Sequence, residues 1–276
     1  MGMRIRKSHA IRDRIELILI LLLLAMVMGY LAKAVYNHRQ EWKTATIEDL
    51  LETAMQPVGS TMYIWGGGWD GEDRAAGATA TQIGMSPQWK RFAKMQNEAY
   101  DFEEHRFERD NGLDCSGFVG WVLYNTFEKE SGLAGYVTLS TDMAESLASK
   151  GWGTLIKNPK KFLPGDIVSM KGHVWICLGT CEDGSVLLVH SSPPGVSVCG
   201  TAHDKTNANS VAVQLATEYM RNTCPEWQEK YPNRGVSISY LEEVSLFRWN
   251  ESVMLDAKKI QEQSAEEIMG ILSPAM

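Results

Sequence analysis

The sequence predicts an α+β domain preceded by a single N-terminal transmembrane helix. A predominantly apolar stretch occupies residues 15–36, close to the N-terminus, and carries no charged residue from Leu17 to Ala32. Helical patterns of apolar residues follow and continue to about residue 150. After Pro164-Gly165 the pattern changes to short β-rich runs separated by turn residues. Helices in the first part and an antiparallel meander in the second are typical of the α+β class.

The size and charge of the chain restrict its class. Its 276 residues are 44% hydrophobic and 22% charged, which suits one globular domain with additional segments. The formal net charge is −7; residues 1–14 carry a net +4, which leaves −11 on residues 15–276. Because phosphate binding requires a basic surface, we expect no nucleic-acid partner for the folded part.

The apolar stretch is long enough to cross the cytoplasmic membrane as one helix, residues 15–36, at a rise of about 1.5 Å per residue. Residues 1–14 are the predicted cytoplasmic tail, because cations are retained on the cytoplasmic side. Residues 37–45 form a short polar stalk, and the rest is predicted to lie outside the cell. In an alternative interpretation, the small residues around Ala34 are a signal-peptidase site, and cleavage there gives a secreted protein.

Four helices are predicted in the first part of the domain, which covers residues 46–250. They run from Thr46 to about Pro57, from Ser86 through a stripe of Trp89, Phe92 and Met95, from Ser116 to Phe127, and from Thr141 to Lys150. Thr46 and Asp49 resemble a capping box, and Ser86-Pro87 combines an N-cap with a first-turn proline. The third helix is apolar on nearly all sides and is therefore expected to be buried.

The second part of the domain is predicted to be mainly strands. The β-rich runs are Asp166–Met170, His173–Gly179, Ser185–His190 and Gly195–Cys199, with a last strand within Val236–Trp249. Asp183-Gly184 is a strong hairpin signal between two of them. Residues 251–272 have an amphipathic helical pattern, and a C-terminal helix is expected within 251–276.

Cys115 is the candidate nucleophile. It begins the third predicted helix, where unpaired N–H groups and the positive end of the helix dipole stabilise a thiolate. A buried structural cysteine is the alternative interpretation, and the residue alone does not decide between them.

Two histidines supply the candidate base and its partner. His173 begins one predicted strand, and His190 ends the next strand of the predicted hairpin. A base at the rim of a sheet can reach a thiol on a packed helix, and His190 could accept the Nδ1 proton of His173 and fix its tautomer. Each histidine alone could equally be a hydrogen-bonded core residue. The three residues occur at positions compatible with one site, so together they are stronger evidence for a catalytic site than any one of them.

Five short motifs resemble the NlpC family of papain-like bacterial cell-wall peptidases, over about residues 46–200. In order they are Tyr63-Ile64-Trp65-Gly66-Gly67, Asp114-Cys115-Ser116-Gly117-Phe118, Gly165-Asp166-Ile167, Gly172-His173-Val174 and Val189-His190-Ser191. The second and fourth blocks are specific in combination, whereas the first alone is weak.

The resemblance implies a papain-like fold, with the nucleophile at the head of a helix packed on an antiparallel sheet. Cys115 is then the nucleophile, His173 the base and His190 the third polar residue. The resemblance also implies four residues that support the substrate or the oxyanion, namely Tyr63, Asp114, Ser116 and Trp65. The implied substrate is the stem peptide of peptidoglycan, cut between D-glutamate and a diamino acid, with no metal or organic cofactor.

One feature departs from the family pattern: residues 69–113 form a long insertion before Asp114. It is expected to wall the substrate groove, to act as a lid, or to be a surface decoration. A partner in an envelope machine that binds this insertion is a further hypothesis. An amidase acting between sugar and peptide, and a non-catalytic wall- or partner-binding module, remain alternative functions.

The other cysteines support weaker hypotheses. His173, Cys177 and Cys181 have a metal-like spacing, but no CxxC or HExxH motif supports a zinc site. Cys177 is interpreted as a small core residue. Outside the cell, one pair among Cys177, Cys181, Cys199 and Cys224 could form a disulfide, and the sequence does not choose the pair.

Overall fold

The structure is a computed structural model that describes residues 18, 20–31, 33, 45–72, 74–204 and 209–272. The chain divides into two compact units, Met1–Thr44 and Ala45–Met276. In the first unit, residues 20–31 are helical; the predicted tail 1–14, the ends of the predicted anchor 15–36 and nearly all of the stalk lie outside the described residues. Within the described part of the chain, no helix combines the length and apolar character needed to cross a membrane.

The second unit is a mixed α+β domain with one sheet, as the sequence predicts. The strands are β1 (Met62–Tyr63), β2 (Gly112–Leu113), β3 (Gly153–Lys157), β4 (Ile167–Met170), β5 (His173–Thr180), β6 (Val186–Ser192), β7 (Gly195–Thr201), β8 (Gly235–Val236) and β9 (Ser245–Trp249). Their order is β2-β1-β7-β6-β5-β4-β9-β3, with β8 paired to β7. The pairs β1–β2 and β7–β8 are parallel, and the other pairs are antiparallel.

The central meander β4–β7 confirms the four predicted β-rich runs. The turn at Asp183-Gly184 joins β5 to β6: Gly184 has φ +81°, and the Asp183 carboxylate accepts the Ser185 main-chain N–H at 3.0 Å. A register shift interrupts the β5–β6 ladder between Cys177 and Gly179. These strands have buried residues on both faces, because helices or loops cover each face.

Seven helices lie in the described part of this domain. They are α1 (Ile47–Met55), α2 (Pro87–Met95), α3 (Cys115–Phe127), α4 (Met143–Ser149), α5 (Val211–Thr223), α6 (Pro225–Lys230) and α7 (Ala265–Leu272). The predicted capping box at Thr46 and the Ser86 cap are both present. In α3 every residue except Asn125 is buried, which confirms the predicted internal helix.

Two predictions about the helices are wrong. Met95 is 69% exposed rather than part of the buried stripe of α2. The predicted continuous helix 251–272 forms only in its last part, as α7. Upstream, Leu255 exchanges main-chain hydrogen bonds with Ala45 and Ile47, which holds this segment extended beside the start of α1.

A buried ion pair joins β9 to the turn before β4. Arg248 donates from Nε and NH2 to the two carboxylate oxygens of Asp166 at 2.9 and 2.6 Å, and Asp166 is fully buried. Burial raises the pKa of Asp166, and the hydrogen bonds from Arg248 oppose that rise. The Gly165-Asp166-Ile167 motif is therefore a structural connection within the sheet.

Candidate active site

Cys115 is the first residue of α3, and Asp114 is the N-cap of that helix. The Asp114 carboxylate accepts the Gly117 main-chain N–H at 2.7 Å and the Ser116 hydroxyl at 2.9 Å. These bonds satisfy donors that have no partner within the helix. Asp114 is 8% exposed and Cys115 is 7% exposed, so thiol and carboxylate share a site with little water.

The two candidate histidines meet across the β5–β6 ladder. His173 Nε2 lies 2.9 Å from His190 Nδ1, and the ring centroids are 5.1 Å apart. The prediction that His173 uses Nδ1 for this contact is wrong. In the β5–β6 ladder Ile176 pairs with Val189, and this register places His173 diagonal to His190 rather than directly opposite it. The His173 ring therefore reaches His190 with Nε2, the nitrogen that is farther from its own backbone. The Nδ1 atom of His173 is thereby left for a proton-transfer partner.

The thiol and the base are connected through the start of β5. The main-chain N–H of Val174, the residue after His173, is near enough to the Cys115 sulfur to lower the pKa of the thiol. A cavity of about 250 Å³ opens beside the thiol. Its lining includes Tyr63, Trp65, Asp114, Ser116, Leu139 and Gly172, which brings the predicted supporting residues to one place.

Burial determines the protonation of the pair. Burial, followed by the neighbouring Asp114 charge, raises the pKa of the Cys115 thiol to about 12, against the main-chain N–H groups that lower it. Burial lowers the pKa of His173 to about 4. Desolvation therefore opposes the stabilisation of a thiolate that was expected from the start of the helix, and both shifts favour an uncharged thiol and an uncharged imidazole.

The wall of the cavity is formed by the Tyr63–Gly67 motif. Burial, and then the charge of Cys115, raise the pKa of the Tyr63 phenol, so it remains a hydrogen-bond donor. The following turn packs on α3: Gly68 has φ +93°, and a Cβ on it would lie 2.5 Å from the Gly117 Cα. This tight turn fixes the wall of the cavity relative to the helix that carries Cys115.

Ser116 has a structural hydrogen bond in addition to its place in the cavity lining. Its hydroxyl accepts the Trp69 indole N–H at 3.0 Å while donating to Asp114. This chain of bonds ties the first residue of the insertion to the cap of α3. Ser116 is 4% exposed, and its hydroxyl already makes both of these hydrogen bonds.

The insertion 69–113 is bound to the cavity wall. Tyr100 donates its hydroxyl to the Tyr63 carbonyl at 2.7 Å, and Arg109 donates Nε to the Gly66 carbonyl at 3.1 Å. The main-chain N–H of Phe107 donates to the Trp65 carbonyl at 2.9 Å. Of the roles expected for the insertion, these bonds favour a wall of the groove over a surface decoration.

Tyr240 is a site residue that the sequence reasoning missed. Its ring centroid lies 5.4 Å from that of His173 and 5.9 Å from that of His190. Burial raises its pKa to about 12, and the charges of Cys199 and Cys115 contribute. It lies in a short 3-10 helix, Ile238–Leu241, beyond the residues that carry the family resemblance. No sequence signal links this segment to the histidines.

The remaining cysteines form neither of the expected bonds. All five cysteines, each within the described residues, carry free thiols, so the disulfide considered from sequence is not formed. Cys177 is fully buried in the core, as interpreted from the sequence. Among the described residues, no group of three or more His, Cys, Asp or Glu side chains is arranged to hold a metal ion.

The fold and the site were compared with known proteins. No protein-family model, no curated protein and no solved structure matches the chain.

Proposed function

We propose that this chain is a papain-like cysteine peptidase that hydrolyses amide bonds in the stem peptide of peptidoglycan. The observation that carries the proposal is a helix-head thiol that lines a cavity with Gly172, the residue before His173, together with the contact between His173 and a second histidine. The main-chain N–H of Val174, next to His173, lowers the pKa of the Cys115 thiol, and His173 Nε2 lies 2.9 Å from His190 Nδ1. This is the nucleophile, base and orienting group that thiol hydrolysis requires.

The uncharged pair supports a general-base mechanism. Nδ1 of His173 takes the Cys115 proton as the sulfur attacks the amide carbonyl carbon. The main-chain N–H of Cys115 and the Tyr63 hydroxyl donate to the oxyanion that forms. The carbon–nitrogen bond then breaks, His173 protonates the departing amine, and a thioester remains on Cys115.

Water completes the cycle. His173 removes a proton from the water that attacks the thioester, the carbon–sulfur bond breaks, and the sulfur regains a proton. His190 holds the ring of His173 through Nε2, which keeps Nδ1 directed away from the ladder. No metal or organic cofactor takes part in this sequence.

The substrate follows from the family resemblance and from the predicted export of the domain. A stem peptide cut between D-glutamate and a diamino acid suits a domain outside the cell. The predicted anchor, residues 15–36, would restrict cutting to wall near the membrane. A partner that binds the insertion remains a hypothesis.

The test is a digest of purified peptidoglycan with residues 37–276, which retain the whole compact unit Ala45–Met276. Wild type is compared with Cys115→Ala and with Cys224→Ala, a thiol variant away from the cavity, and the products are identified by mass spectrometry. We expect stem-peptide fragments from wild type and Cys224→Ala and none from Cys115→Ala.

Other products contradict parts of the proposal. Sugar-free intact stem peptides would identify an amidase. Equal products from Cys115→Ala would exclude the assigned nucleophile. A folded wild type that gives no product from any wall chemotype would favour the non-catalytic binding module.

A further inference from the structure

An arginine from the insertion stacks on a side chain that lines the Cys115 cavity. The cavity-lining Trp65 is 45% exposed, and the guanidinium carbon of Arg106 lies 5.0 Å from the centroid of its ring. The same guanidinium carbon is 5.7 Å from the centroid of the Phe107 ring. Stacking on two aromatic rings restricts the plane of the guanidinium, so its edge has a defined direction.

The backbone beneath this arginine is strained and well anchored. Phe107 has φ +63°, a left-handed conformation that a bulky residue rarely adopts. Its N–H donates to the Trp65 carbonyl, and its ring packs on Gly66, where a Cβ would lie 2.9 Å from the Phe107 Cδ1. Backbone strain of this kind persists where surrounding contacts enforce it and is frequent at binding sites.

Arg106 has donors left over for a ligand. A guanidinium carries five N–H groups, and the one hydrogen bond that the described residues provide is from NH1 to Glu103 at 3.1 Å. The side chain is 42% exposed. The remaining edge is therefore accessible beside the cavity and suits a planar, two-oxygen acceptor.

We propose that Arg106 binds a carboxylate of the substrate and makes the site specific for stem peptides with a free glutamyl carboxylate. This inference rests on the proposed function. A glutamyl residue that forms an amide through one carboxyl group keeps the other, which is an anion at neutral pH. The Arg106 guanidinium, stacked on the cavity-lining Trp65, supplies a positive charge for that carboxylate in a chain whose residues 15–276 carry a net charge of −11.

The test compares two synthetic stem peptides that differ only at this group, a free glutamyl carboxylate in one and its primary amide in the other. The kcat/KM for each is measured with wild type, Arg106→Gln and Arg91→Gln. Arg91 is an exposed arginine of α2 in the same insertion, bonded to Gln88, and serves as the matched control.

We expect wild type and Arg91→Gln to favour the carboxylate peptide by about tenfold, the effect of a partly exposed charge-assisted hydrogen bond. In Arg106→Gln the ratio falls to about one, because rates on the carboxylate peptide decrease while rates on the amide peptide are retained. A wild-type ratio near one, or a preference that survives in Arg106→Gln, overturns the proposal.

Binding to the Cys115→Ala protein separates this inference from the proposed function. Calorimetry with both peptides measures the same preference without turnover. If the carboxylate peptide binds more tightly but wild type cleaves neither, the proposed function fails and the Arg106 site stands. If both peptides are cleaved at equal rates, the proposed function stands and the Arg106 site fails. If neither is bound nor cleaved, both fail.

Discussion

The reactivity of the Cys115 thiol depends on its pKa, which its surroundings shift in opposite directions. Main-chain N–H groups lower its pKa, whereas burial and the Asp114 carboxylate raise it, with a result near 12. Asp114 itself has its pKa raised to about 6 by burial, so it is mostly ionised at neutral pH. The carboxylate therefore caps the helix but disfavours the thiolate form of Cys115, and in the proposed mechanism the general base His173 compensates by removing the thiol proton.

We predict that Asp114→Asn raises the rate at which iodoacetamide alkylates Cys115. Asparagine remains an N-cap acceptor, but the negative charge beside the sulfur is removed, so the pKa of the thiol falls. The rate at neutral pH should increase about three- to fourfold for each unit of that fall, since the nucleophilicity of the thiolate falls less than its population rises. Alkylation of Cys115 is followed by mass spectrometry from pH 5 to pH 9.

The wild-type profile tests the same point. With a thiol pKa near 12, its rate should rise up to pH 9 without a plateau. The control is Asp110→Asn, an exposed acid of the insertion, which should follow the wild-type profile. A wild-type plateau between pH 5 and pH 7 would show that a thiolate–imidazolium pair already exists at rest.

At the residue scale, the sequence was informative where a short motif carries the residue. The motif around Cys115 identifies a residue that lines the cavity. The motifs around His173 and His190 identify two residues that meet across one strand ladder. The nitrogen of His173 that meets His190 could not be predicted, because it depends on the diagonal register of two strands. Tyr240 could not be predicted either, because its contact with the histidines depends on long-range chain folding.

At the element scale, an ion pair with a buried carboxylate ties β9 to the turn before β4. Asp166 has no exposed surface, and Arg248 supplies two of its hydrogen bonds. We predict that Arg248→Met destabilises the domain by about 3–5 kcal/mol, because it leaves a buried carboxylate without its counter-charge. Urea unfolding of residues 37–276 measures this loss.

A second substitution tests the cause. Asp166→Asn combined with Arg248→Met should recover most of the stability, since no buried charge then remains. The control is Arg221→Met, on the exposed side of α5, whose midpoint of unfolding in urea should equal that of the wild type. If the double variant is as unstable as Arg248→Met, the loss comes from packing of the arginine stem rather than from its charge.

Elements with strong local signals were predicted, and elements defined by distant pairing were not. The strands β4–β7 alternate with clear turns, and α3 is a continuous apolar run, so both followed from the sequence. The two-residue strands β1 and β2 are defined by distant pairing, with each other across the whole insertion and, for β1, also with β7. Helix α5 was missed although Ser210 caps it through the Val213 N–H, a signal present in the sequence.

At the scale of the whole molecule, the charge is divided between two regions. The net +4 of residues 1–14 precedes the apolar stretch 15–36, and the net −11 follows from residue 15 onward. A cationic tail is retained on the cytoplasmic side of a membrane. This distribution supports the proposed position of the enzyme, with its active site facing the wall and its tail in the cytoplasm.

The last prediction concerns how the chain is held at the membrane. We expect the full chain to remain with membranes after an alkaline carbonate wash and to keep its N-terminal residues, as read by intact mass. As a helix, residues 15–36 span about 33 Å, enough for a hydrocarbon core of about 30 Å. Replacing Leu21 and Leu24 with arginine should release the protein, because each arginine near the centre costs about 2.5–3.5 kcal/mol. Recovery of a soluble wild-type protein that begins just after Ala34 would instead establish a cleaved signal peptide, and its catalytic domain would then act on wall away from the membrane.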